Sequence, residues 1–514
     1  MLYYFIPSWY PEQRTWYDNT TNWYSMWSSA RFDDTINQLR MFEGAGETNR
    51  LVILNYMPNL RYYKHRYDLF EVDTWSLFDR LQGIGEFQGA VVDYLDFDWP
   101  KGIEFVNSPF MALALLDGNL YAQIEFGESG QLIWIDFFET DQLSKKMVFD
   151  DRGFVSSILY FQAGQPVYQD YLGLDGRWRI REFLGEDDQH VEINPNLKAG
   201  LTNKTVYENM EELVQEQLTA YLNSSSEQAV IFLTASFQHH DLVMKAKGEQ
   251  KILLSFFGQR CPLAQTERLK NMLVGVDLVI TDSKKTADYL ASFQLVPVHH
   301  LSLFDTRLAL GQSQRLKELN VYFLLDGLSR DEYQACLQVI FNRMEVYKDL
   351  HLHLVSYQTD GDAIHQLTQD LEGFLETRTE AYLFFEKEEE PLFEFGDTES
   401  QKSRIQLSFF HTENEIIRTF QHTRLIIDLA EEPNLYTQIA GISSGIPQIN
   451  RVETEFVEHM KNGYILFKNG GLLAGIDFYL AGLTNWNRSL IHSIQKISDY
   501  TSGVLVEKVK EKIN

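Results

Sequence analysis

The stretch from Arg424 to Asn450 combines residue types that could bind a phosphate-bearing ligand. It reads RLIIDLAEEPNLYTQIAGISSGIPQIN, and its pattern predicts a buried strand, a breaking loop at 431–434, and a helix that Leu435 begins and Gly445 ends. The carboxyl end of the strand and the amino end of the helix meet in that loop. Backbone N–H groups at a helix N-terminus carry partial positive charge, so this crevice could hold the diphosphate of a sugar nucleotide.

The spacing in this stretch resembles the donor-site segment of two-domain (GT-B) retaining glycosyltransferases. In that pattern, two glutamates with seven residues between them and a glycine-containing loop precede a helix that ends in Gly-x-Pro. Here the first glutamate is Glu432, the second position holds Ala440, and the loop reads Pro433, Asn434, Leu435. A leucine in place of the loop glycine would place a side chain against the pyrophosphate, and alanine cannot accept hydrogen bonds from a ribose diol. Proline has no N–H to offer a phosphate, although active relatives of the superfamily can carry one there.

The same resemblance implies an arginine and a lysine after the first strand of the second domain, where they hold the leaving diphosphate. That strand is predicted from Val321 to Leu325, the arginine position holds Gly327, and the lysine position holds Glu332. Two positive charges are thus replaced by a neutral residue and a carboxylate that repels a diphosphate. Arg330 is the residue that could supply a compensating guanidinium. The pattern predicts a crevice whose shape is kept and whose donor chemistry is lost.

Two adjacent histidines are further candidates for contact with a ligand in the cleft. His239 and His240 follow a predicted strand, where such enzymes often place a histidine that faces the sugar. The alternative interpretation is a helix cap or a solvent contact, and no third residue is spaced for a metal ion. The sequence predicts no metal site and no cofactor.

Aromatic residues crowd the N-terminal region. Trp-Tyr pairs begin at Trp9, Trp16 and Trp23. One interpretation is apolar packing beneath the first domain and against its neighbour. The other is a platform on which Trp9, Tyr10 and Arg14 hold a sugar or a peptide partner.

From about residue 101 the hydrophobic period becomes two-fold, which predicts an inserted antiparallel sheet. In Trp178-Arg179-Ile180-Arg181, apolar side chains alternate with Arg179 and Arg181, which would share one face. The sheet is either scaffold or a docking platform for a partner or substrate. Turn signals recur at a hairpin rhythm, at Gly118, Gly130, Gly153, Gly164 and Gly176.

Strands and helices alternate on both sides of this insertion. The predicted fold class is α/β and GT-B-like, with two Rossmann-like domains that face a cleft and an antiparallel sheet inserted in the first. The predicted domains are 1–100 with 196–300 (first Rossmann-like domain), 101–195 (inserted sheet), 301–485 (second Rossmann-like domain) and 486–514 (helices that pack back on the first domain).

Composition bounds the function classes. The 514 residues include 45 basic and 73 acidic side chains, a formal net charge of −28, which disfavours nucleic acid as a partner through long-range repulsion. The only two cysteines, Cys261 and Cys336, lie far apart and suggest neither a disulfide framework nor a zinc site. No apolar run is long enough for a membrane helix and no basic segment of a signal peptide precedes the first strand. We therefore expect a cytoplasmic protein with at most peripheral membrane contact.

Longer phrases of the chain resemble one particular family. The phrases YYFIPSWY and DTRLALGQSQRLKELNVYFLLDGLSRDE, together with the insertion and the degenerate donor loop, are similar to the glycosyltransferase-like Asp-one subunit of the accessory Sec export system. The resemblance implies a non-enzymatic subunit that acts with two sister Asp proteins and the accessory Sec motor ATPase to export a glycosylated serine-rich repeat adhesin precursor. The alternative function is an active GT-B retaining glycosyltransferase with an unusual donor site.

Overall fold

The structure is a computed structural model of the chain. It describes residues 1–11, 14–22, 33–86, 89–185, 189–196, 202–224, 228–258, 260–301, 308, 310–376, 404–411, 413–454, 456–466, 471–498 and 502–513. The predicted Trp-Tyr pair at Trp23 lies outside the described residues.

Strands form three sheets in the described part of the chain. In chain order they are β1 (Leu2–Ile6), β2 (Thr48–Ile53), β3 (Thr74–Ser76), β4 (Ile103–Asn107), β5 (Ala112–Leu116), β6 (Asn119–Phe126), β7 (Leu132–Glu139), β8 (Gln142–Asp150), β9 (Phe154–Gln162), β10 (Gln165–Leu172), β11 (Trp178–Phe183), β12 (Val191–Ile193), β13 (Val206–Tyr207), β14 (Ala229–Thr234), β15 (Lys251–Phe256), β16 (Leu278–Thr281), β17 (Val298–His300), β18 (Leu319–Leu324), β19 (Leu350–Ser356), β20 (Ile405–Phe409), β21 (Thr423–Asp428), β22 (Gln448–Asn450) and β23 (Gly463–Ile465).

Helices connect most of the parallel strands. In chain order they are α1 (Asp34–Gly44), α2 (Leu60–Arg66), α3 (Leu77–Gln82), α4 (Met210–Leu222), α5 (His240–Ala246), α6 (Thr266–Met272), α7 (Lys284–Ala291), α8 (Arg330–Val346), α9 (Gly361–Glu376), α10 (Glu413–Phe420), α11 (Leu435–Ser444), α12 (Leu472–Leu480), α13 (Leu483–Ser498) and α14 (Ser502–Ile513).

Two of the sheets are parallel. The first has the order β17-β16-β15-β14-β1-β2-β3, and the third has the order β20-β19-β18-β21-β22-β23. Their central strands β1, β14 and β21 are buried along their whole length, as expected when helices cover both faces of a parallel sheet. The strand order reverses between β1 and β14 and between β18 and β21. The carboxyl ends of these strands therefore mark the two crevices where an open α/β sheet binds ligands.

The middle sheet is antiparallel and has the order β13-β12-β11-β10-β9-β8-β7-β6-β5-β4. The glycines predicted to form its turns all adopt positive φ. The sheet extends past residue 195, where the sequence pattern placed its end, because Val206 and Tyr207 pair with Glu192 and Val191 as a last short strand. The closing strand is too short to give a periodic signal.

One face of the antiparallel sheet shares a hydrophobic core with the first parallel sheet. Tyr171, Ile180 and Val191 are buried in the same cluster as Tyr4 and Ile231 of the parallel strands. The other face is covered over β4 to β8 by the segment that contains Phe97 and Trp99. The insertion is thus packed onto the body as one layer of it rather than held on a free linker.

The two C-terminal helices pack on different parts of the molecule. Trp486 of α13 is fully buried and donates its indole N–H to the Arg424 carbonyl oxygen at 2.9 Å, which places α13 against the third sheet. Only α14 returns to the first sheet, where Val506, Val509 and Ile513 join its core. This corrects the expectation that all helices from residue 486 pack on the first domain, since the buried indole anchors α13 elsewhere.

Candidate functional site

The predicted donor crevice lies between the end of β21 and the start of α11. Asp428 ends the strand as a buried residue, and its carboxylate accepts the backbone N–H of Asn434 at 2.7 Å and that of Ala430 at 3.2 Å. The Asn434 side chain caps α11 by accepting the N–H of Thr437 at 2.9 Å. Amide donors that a bound diphosphate would need here, those of Asn434 and Thr437, therefore already serve the chain's own side chains.

A second carboxyl group, which is half-buried, lies near the first. Asp326, just after β18, accepts the Ser356 hydroxyl at 2.6 Å and the Tyr357 N–H at 2.7 Å. Burial raises the pKa of Asp326, and burial together with the nearby Asp326 charge raises the pKa of Asp428 to about 6. A diphosphate brought to this crevice would meet two carboxyl groups.

Hydroxyl groups fill the space behind these carboxyl groups. The Tyr357 hydroxyl lies 2.6 Å from that of Tyr322 and 2.7 Å from that of Thr437, and the Thr437 hydroxyl donates to Asn434 at 3.0 Å. The chain of hydrogen bonds ties β18 and the residue after β19 to the first turn of α11. It fixes the loop in one arrangement.

The two positions that depart from the donor pattern in this segment, 440 and 435, have different surroundings. Ala440 has no exposed surface and lies in an apolar cluster with Tyr322 of the third sheet's unit and Met41 and Phe257 of the first sheet's unit. Leu435 is half-buried against a neighbouring cluster that includes Ile439. Position 440 is therefore part of the packing between the two α/β units rather than a place where a ribose finds a polar partner.

The remaining residues of the loop lie nearer solvent. Pro433 is half-buried and Glu432 is exposed. Glu432, the first glutamate of the predicted donor pattern, is therefore at the surface.

Gly327 is required by the backbone. Its φ of 77° lies in the left-handed region, and a Cβ atom added there would come within 2.8 Å of the Ala430 Cβ atom. The arginine of the enzyme pattern cannot be placed here without moving the Ala430 loop. Both the backbone conformation and the neighbouring loop therefore disfavour a positively charged side chain at this position.

Glu332 and Arg330 serve the start of α8. Glu332 accepts the N–H and the hydroxyl of Ser329 at 2.9 and 2.7 Å, a capping box, and also the Arg451 guanidinium at 2.9 Å. The Ser329 and Arg451 donors lower the pKa of Glu332 to about 2. Arg330 pairs with Asp370 of α9 at 3.1 Å. The predicted substitute for the missing cations is therefore engaged by a carboxylate of its own.

His239 is a buried structural side chain. Its Nε2 lies 2.7 Å from the Thr234 carbonyl oxygen and its Nδ1 lies 2.7 Å from the Tyr10 hydroxyl, so both ring nitrogens are occupied. Burial lowers the pKa of His239 to about 3, which keeps the ring neutral. This corrects the expectation that His239 contacts a ligand, because no nitrogen is left to do so.

His240 differs from its neighbour. It is 4% exposed and begins α5, with Nδ1 3.1 Å from the Asp241 carboxylate. Its Nε2 has no hydrogen-bond partner in the described residues. Of the two histidines, only His240 has a ring nitrogen without a partner in the described residues, and that nitrogen is buried.

Sequence reasoning missed a buried polar cluster at the edge of the first sheet. Asp34, the first residue of α1, is buried and pairs with Arg260 at 2.6 Å, and it accepts the Ser255 hydroxyl at 2.7 Å. Gln38 donates to the same hydroxyl at 2.7 Å. The paired acids Asp33 and Asp34 ahead of a helix were the available signal, but their partners come from residues more than 200 positions away.

The described part of the N-terminal aromatic run packs largely inside the molecule. Trp9 is 7% exposed and donates to Asp33 at 2.8 Å. Arg14 pairs with Glu182, donates to Gln169 at 2.7 Å and lies over the Tyr17 ring, so it joins the run to the antiparallel sheet. The Tyr10 hydroxyl contacts His239. These side chains therefore form a packing contact between the run and the antiparallel sheet, and not an exposed platform.

The two arginines of the sheet lie on its other face. Arg181 forms a two-pronged pair with Asp170 at 2.6 and 2.8 Å and lies over the rings of Tyr168 and Trp178. Arg179 pairs with Asp175 at 2.9 Å. The basic stripe seen in the sequence is therefore neutralised locally, and it is separated from Trp9 and Arg14 by the sheet itself.

The described ranges contain neither a metal-binding cluster nor a membrane-spanning helix. Within them, no three His, Cys, Asp or Glu side chains are arranged to hold a metal ion. Within them too, every helix is too short or too polar to span a bilayer.

The fold and the crevice define the class of the protein. The crystal structure of the pneumococcal O-GlcNAc transferase GtfA in complex with UDP and GlcNAc matches all of this chain and 98% of that one, with a TM-score of 0.68 at 12% identity. The architecture is therefore GT-B-like, as predicted. At that identity the likeness concerns the fold alone.

The family is narrower than the fold. The family model described as accessory Sec system protein Asp-one matches residues 2–514, so the chain belongs to that family. The accessory Sec system protein Asp-one of Streptococcus gordonii is 38% identical over 99% of this chain and 98% of its own length.

Two solved complexes contain chains with the same fold at higher identity. One, the Glycosylation Associate Protein (Gap123) complex from Streptococcus agalactiae, matches with a TM-score of 0.90 at 42% identity over 99% of this chain and 100% of that one. The other, accessory secretory proteins 1, 2 and 3 of Streptococcus pneumoniae, matches with a TM-score of 0.87 at 34% identity over 99% and 98%.

Proposed function

We propose that this chain is a non-enzymatic, glycosyltransferase-like subunit of the accessory Sec system. In this role it binds two sister Asp proteins and the glycosylated serine-rich repeat adhesin precursor for export, and it acts with the accessory Sec motor ATPase. Its place is the cytoplasm, with membrane contact at most peripheral, at the inner face. Neither a cofactor nor a metal ion takes part.

The observation that carries the proposal is the occupied donor crevice. The Asp428 carboxylate accepts the Asn434 N–H, and Glu332 caps the start of α8. The backbone conformation and close contact at Gly327 exclude an arginine. Each group that would bind or neutralise a diphosphate in an enzyme of this fold has here a structural partner or a structural constraint. Losing several charge-assisted contacts in one site raises a reaction barrier by several times the roughly 1.4 kcal/mol that corresponds to a tenfold change in rate.

The relatives support the assembly part of the proposal. Two chains of the same fold, 42% and 34% identical to this one, were solved within a Gap123 complex and with accessory secretory proteins 2 and 3. A scaffold that has lost its chemistry can keep its surfaces, because fold and site are maintained by different residues.

Absence of enzymatic activity is tested by incubating the protein with a panel of labelled sugar nucleotides and an adhesin-derived acceptor peptide. We expect no transfer above background and no heat of binding in calorimetric titrations with the same donors. Turnover with any donor that is abolished by Glu432→Ala would establish the alternative function, an active glycosyltransferase.

The partner assignment is tested separately. The tagged protein, purified from its own cytoplasm, should bring down the two sister Asp proteins, the adhesin precursor and the motor ATPase. Recovery of the tagged chain alone under conditions in which the adhesin is being exported would contradict the subunit role.

The cleft between the α/β units is a candidate glycan or peptide site, with His240 and Glu432 as its contacts. Its test is titration of glycosylated and unglycosylated adhesin fragments against wild type and a His240→Ala, Glu432→Ala double variant. Undiminished binding by the double variant would place adhesin recognition outside the cleft.

A further inference from the structure

Within the described residues, the antiparallel sheet ends in an edge strand, β4, which has a partner strand on one side only. β4 is the last strand in the sheet order and pairs with β5, with Val106 opposite Leu113. The N–H of Ser108 donates to the Met111 carbonyl oxygen at 3.0 Å, which fixes the alternation along the ladder. Residues an even number of positions from Ser108, Glu104 and Val106, direct their N–H and C=O groups toward β5.

The backbone groups of the intervening residues point away from the sheet. The N–H of Ile103 donates to the Pro100 carbonyl oxygen at 3.2 Å. The N–H groups of Phe105 and Asn107 donate to no backbone oxygen on that side in the described part of the chain. An edge of this kind offers hydrogen bonds to an extended segment of another chain.

A pocket opens at the carboxyl end of this edge. It has a volume of about 390 Å³ and lies between Tyr94, the turn from Asn107 to Ala112, and Phe126. The Tyr94 hydroxyl donates to the Asn107 side chain at 3.1 Å, so the pocket and the strand share a wall. In strand addition, backbone bonds supply affinity and such a pocket selects a side chain.

The rim of the edge is acidic. The exposed carboxylates of Asp93, Asp96, Asp98 and Glu104 form no ion pair within the described residues, and Lys101 is the cation between them. A second copy of this chain, with its net charge of −28, would bring the same carboxylates to the contact. The charge therefore favours a basic occupant over edge-to-edge pairing of two copies.

We propose that β4 and this pocket form a docking site for an extended, basic segment of a partner protein. The segment adds to the sheet as a further strand, bonds to the outward backbone groups of Phe105 and Asn107, and places one apolar side chain in the pocket. The site gives the proposed subunit role, on which it rests, a defined surface for one of its protein partners.

The test uses a nine-residue peptide in which lysine alternates with valine around a central phenylalanine, and a counterpart with glutamate in place of lysine. Residue-resolved hydrogen exchange should show the Phe105 and Asn107 amides exchanging quickly in the free protein and slowly with the lysine peptide. The amides of Glu104 and Val106 should be slow in both states. Equal binding of the glutamate peptide, or protection elsewhere only, would overturn the site.

A matched pair of variants isolates the backbone bond. Asn107→Pro removes an outward N–H without removing a bond to β5, whereas Asn107→Ala removes the same side chain and keeps the N–H. Asn107→Pro should weaken the lysine peptide at least 5-fold relative to Asn107→Ala. If Asn107→Pro does not fold, the exposed double charge reversal Asp96→Lys, Glu104→Lys should give a similar loss, and unchanged affinity in it contradicts the proposal.

Assembly with purified accessory secretory proteins 2 and 3 is measured in parallel by size-exclusion chromatography. Failure of the wild-type chain to assemble counts against the subunit role. The peptide experiment then still tests the docking site at β4 independently. Assembly with no response of the edge to the lysine peptide overturns the docking site and leaves the subunit role standing.

Discussion

The imidazole of His239 is held between two fixed partners, the Tyr10 hydroxyl and the Thr234 carbonyl oxygen. The Thr234 carbonyl oxygen can only accept, so Nε2 donates to it, and in the neutral ring Nδ1 accepts from the Tyr10 hydroxyl. Burial disfavours the protonated ring, since the buried charge would lose its hydration. The side chain is therefore a pH-dependent part of the stability of the first sheet and not a ligand contact.

His239→Phe should lower the free energy of unfolding by about 1–3 kcal/mol at pH 7.5, because two buried polar groups lose their partner. The folded pKa of about 3 lies below the ordinary histidine value, so protonation favours the unfolded chain. This part of the wild-type stability is present above about pH 6.5 and is lost as the pH falls from there toward 3. The gap between wild type and variant should shrink by about 1 kcal/mol between pH 7.5 and 5.5 in urea unfolding. Tyr10→Phe, which keeps the titrating ring, should retain the wild-type pH dependence, and a gap that does not change with pH would contradict this account.

Gly327 combines a left-handed backbone with a close neighbour, and the two effects can be separated. Gly46 has a similar φ of 74°, with nothing within 4 Å of an added Cβ atom. Gly46→Ala should cost about 1 kcal/mol from backbone strain, and Gly327→Ala should cost more because its Cβ meets Ala430. Gly327→Arg should be at least as destabilising and should restore no sugar-nucleotide binding. Equal midpoints of urea unfolding for the two alanine variants would show that Ala430 moves aside freely.

At the scale of elements, the antiparallel sheet has one face in the core and one face outward. Two tyrosines of β10 test this directly, since Tyr171 is fully buried against the first sheet while Tyr168 is half-exposed beside Arg181. Tyr171→Ala should cost about 3–5 kcal/mol, because it opens a cavity and removes the hydroxyl that contacts Arg14 and Glu182. Tyr168→Ala should cost less than half as much. Equal melting temperatures of the two variants in thermal unfolding would mean that the sheet is not part of the core.

The shared core also changes how the insertion can be tested. Removing residues 101–195 would strip Tyr171, Ile180 and Val191 from the core of the first sheet. We expect the deleted chain to unfold or aggregate, so loss of partner binding in it would say nothing about docking. Substitutions on the outer face and on the β4 edge are the informative ones.

At the scale of the whole molecule, α14 ties the end of the chain to its beginning. Val509 is 4% exposed in the core of the first sheet, Lys510 pairs with Glu47, and Val504 on the same helix is 39% exposed. Val509→Asp should cost several kcal/mol, about 3 or more, because it buries an unpaired charge, whereas Val504→Asp should be nearly neutral. Native-state hydrogen exchange should show faster exchange in α1 and β1 of the Val509 variant. Loosening confined to the third sheet would contradict this role of α14.

The sequence by itself determined the elements and which residues of the donor pattern are absent. Runs such as Leu2–Ile6 and Thr423–Asp428 are apolar enough to specify buried parallel strands, and Asn434 and Gly445 bound α11 through a side-chain cap and a left-handed residue, both local effects. The chain order of strands and helices then gave the GT-B-like class. The absence of a glycine, glutamate, arginine or lysine from a given position can be read without coordinates, because it is a property of the sequence alone.

Only the tertiary structure decided what the remaining polar residues do. His239 and Arg14 read as ligand contacts, yet their partners Tyr10 and Glu182 lie 229 and 168 positions away and bring them inside. Nothing in the sequence pattern predicts that the Asp428 carboxylate accepts the Asn434 N–H. Nor does it predict that Arg181 pairs with Asp170. Burial and hydrogen bonding depend on which distant groups meet, and no local pattern carries that information.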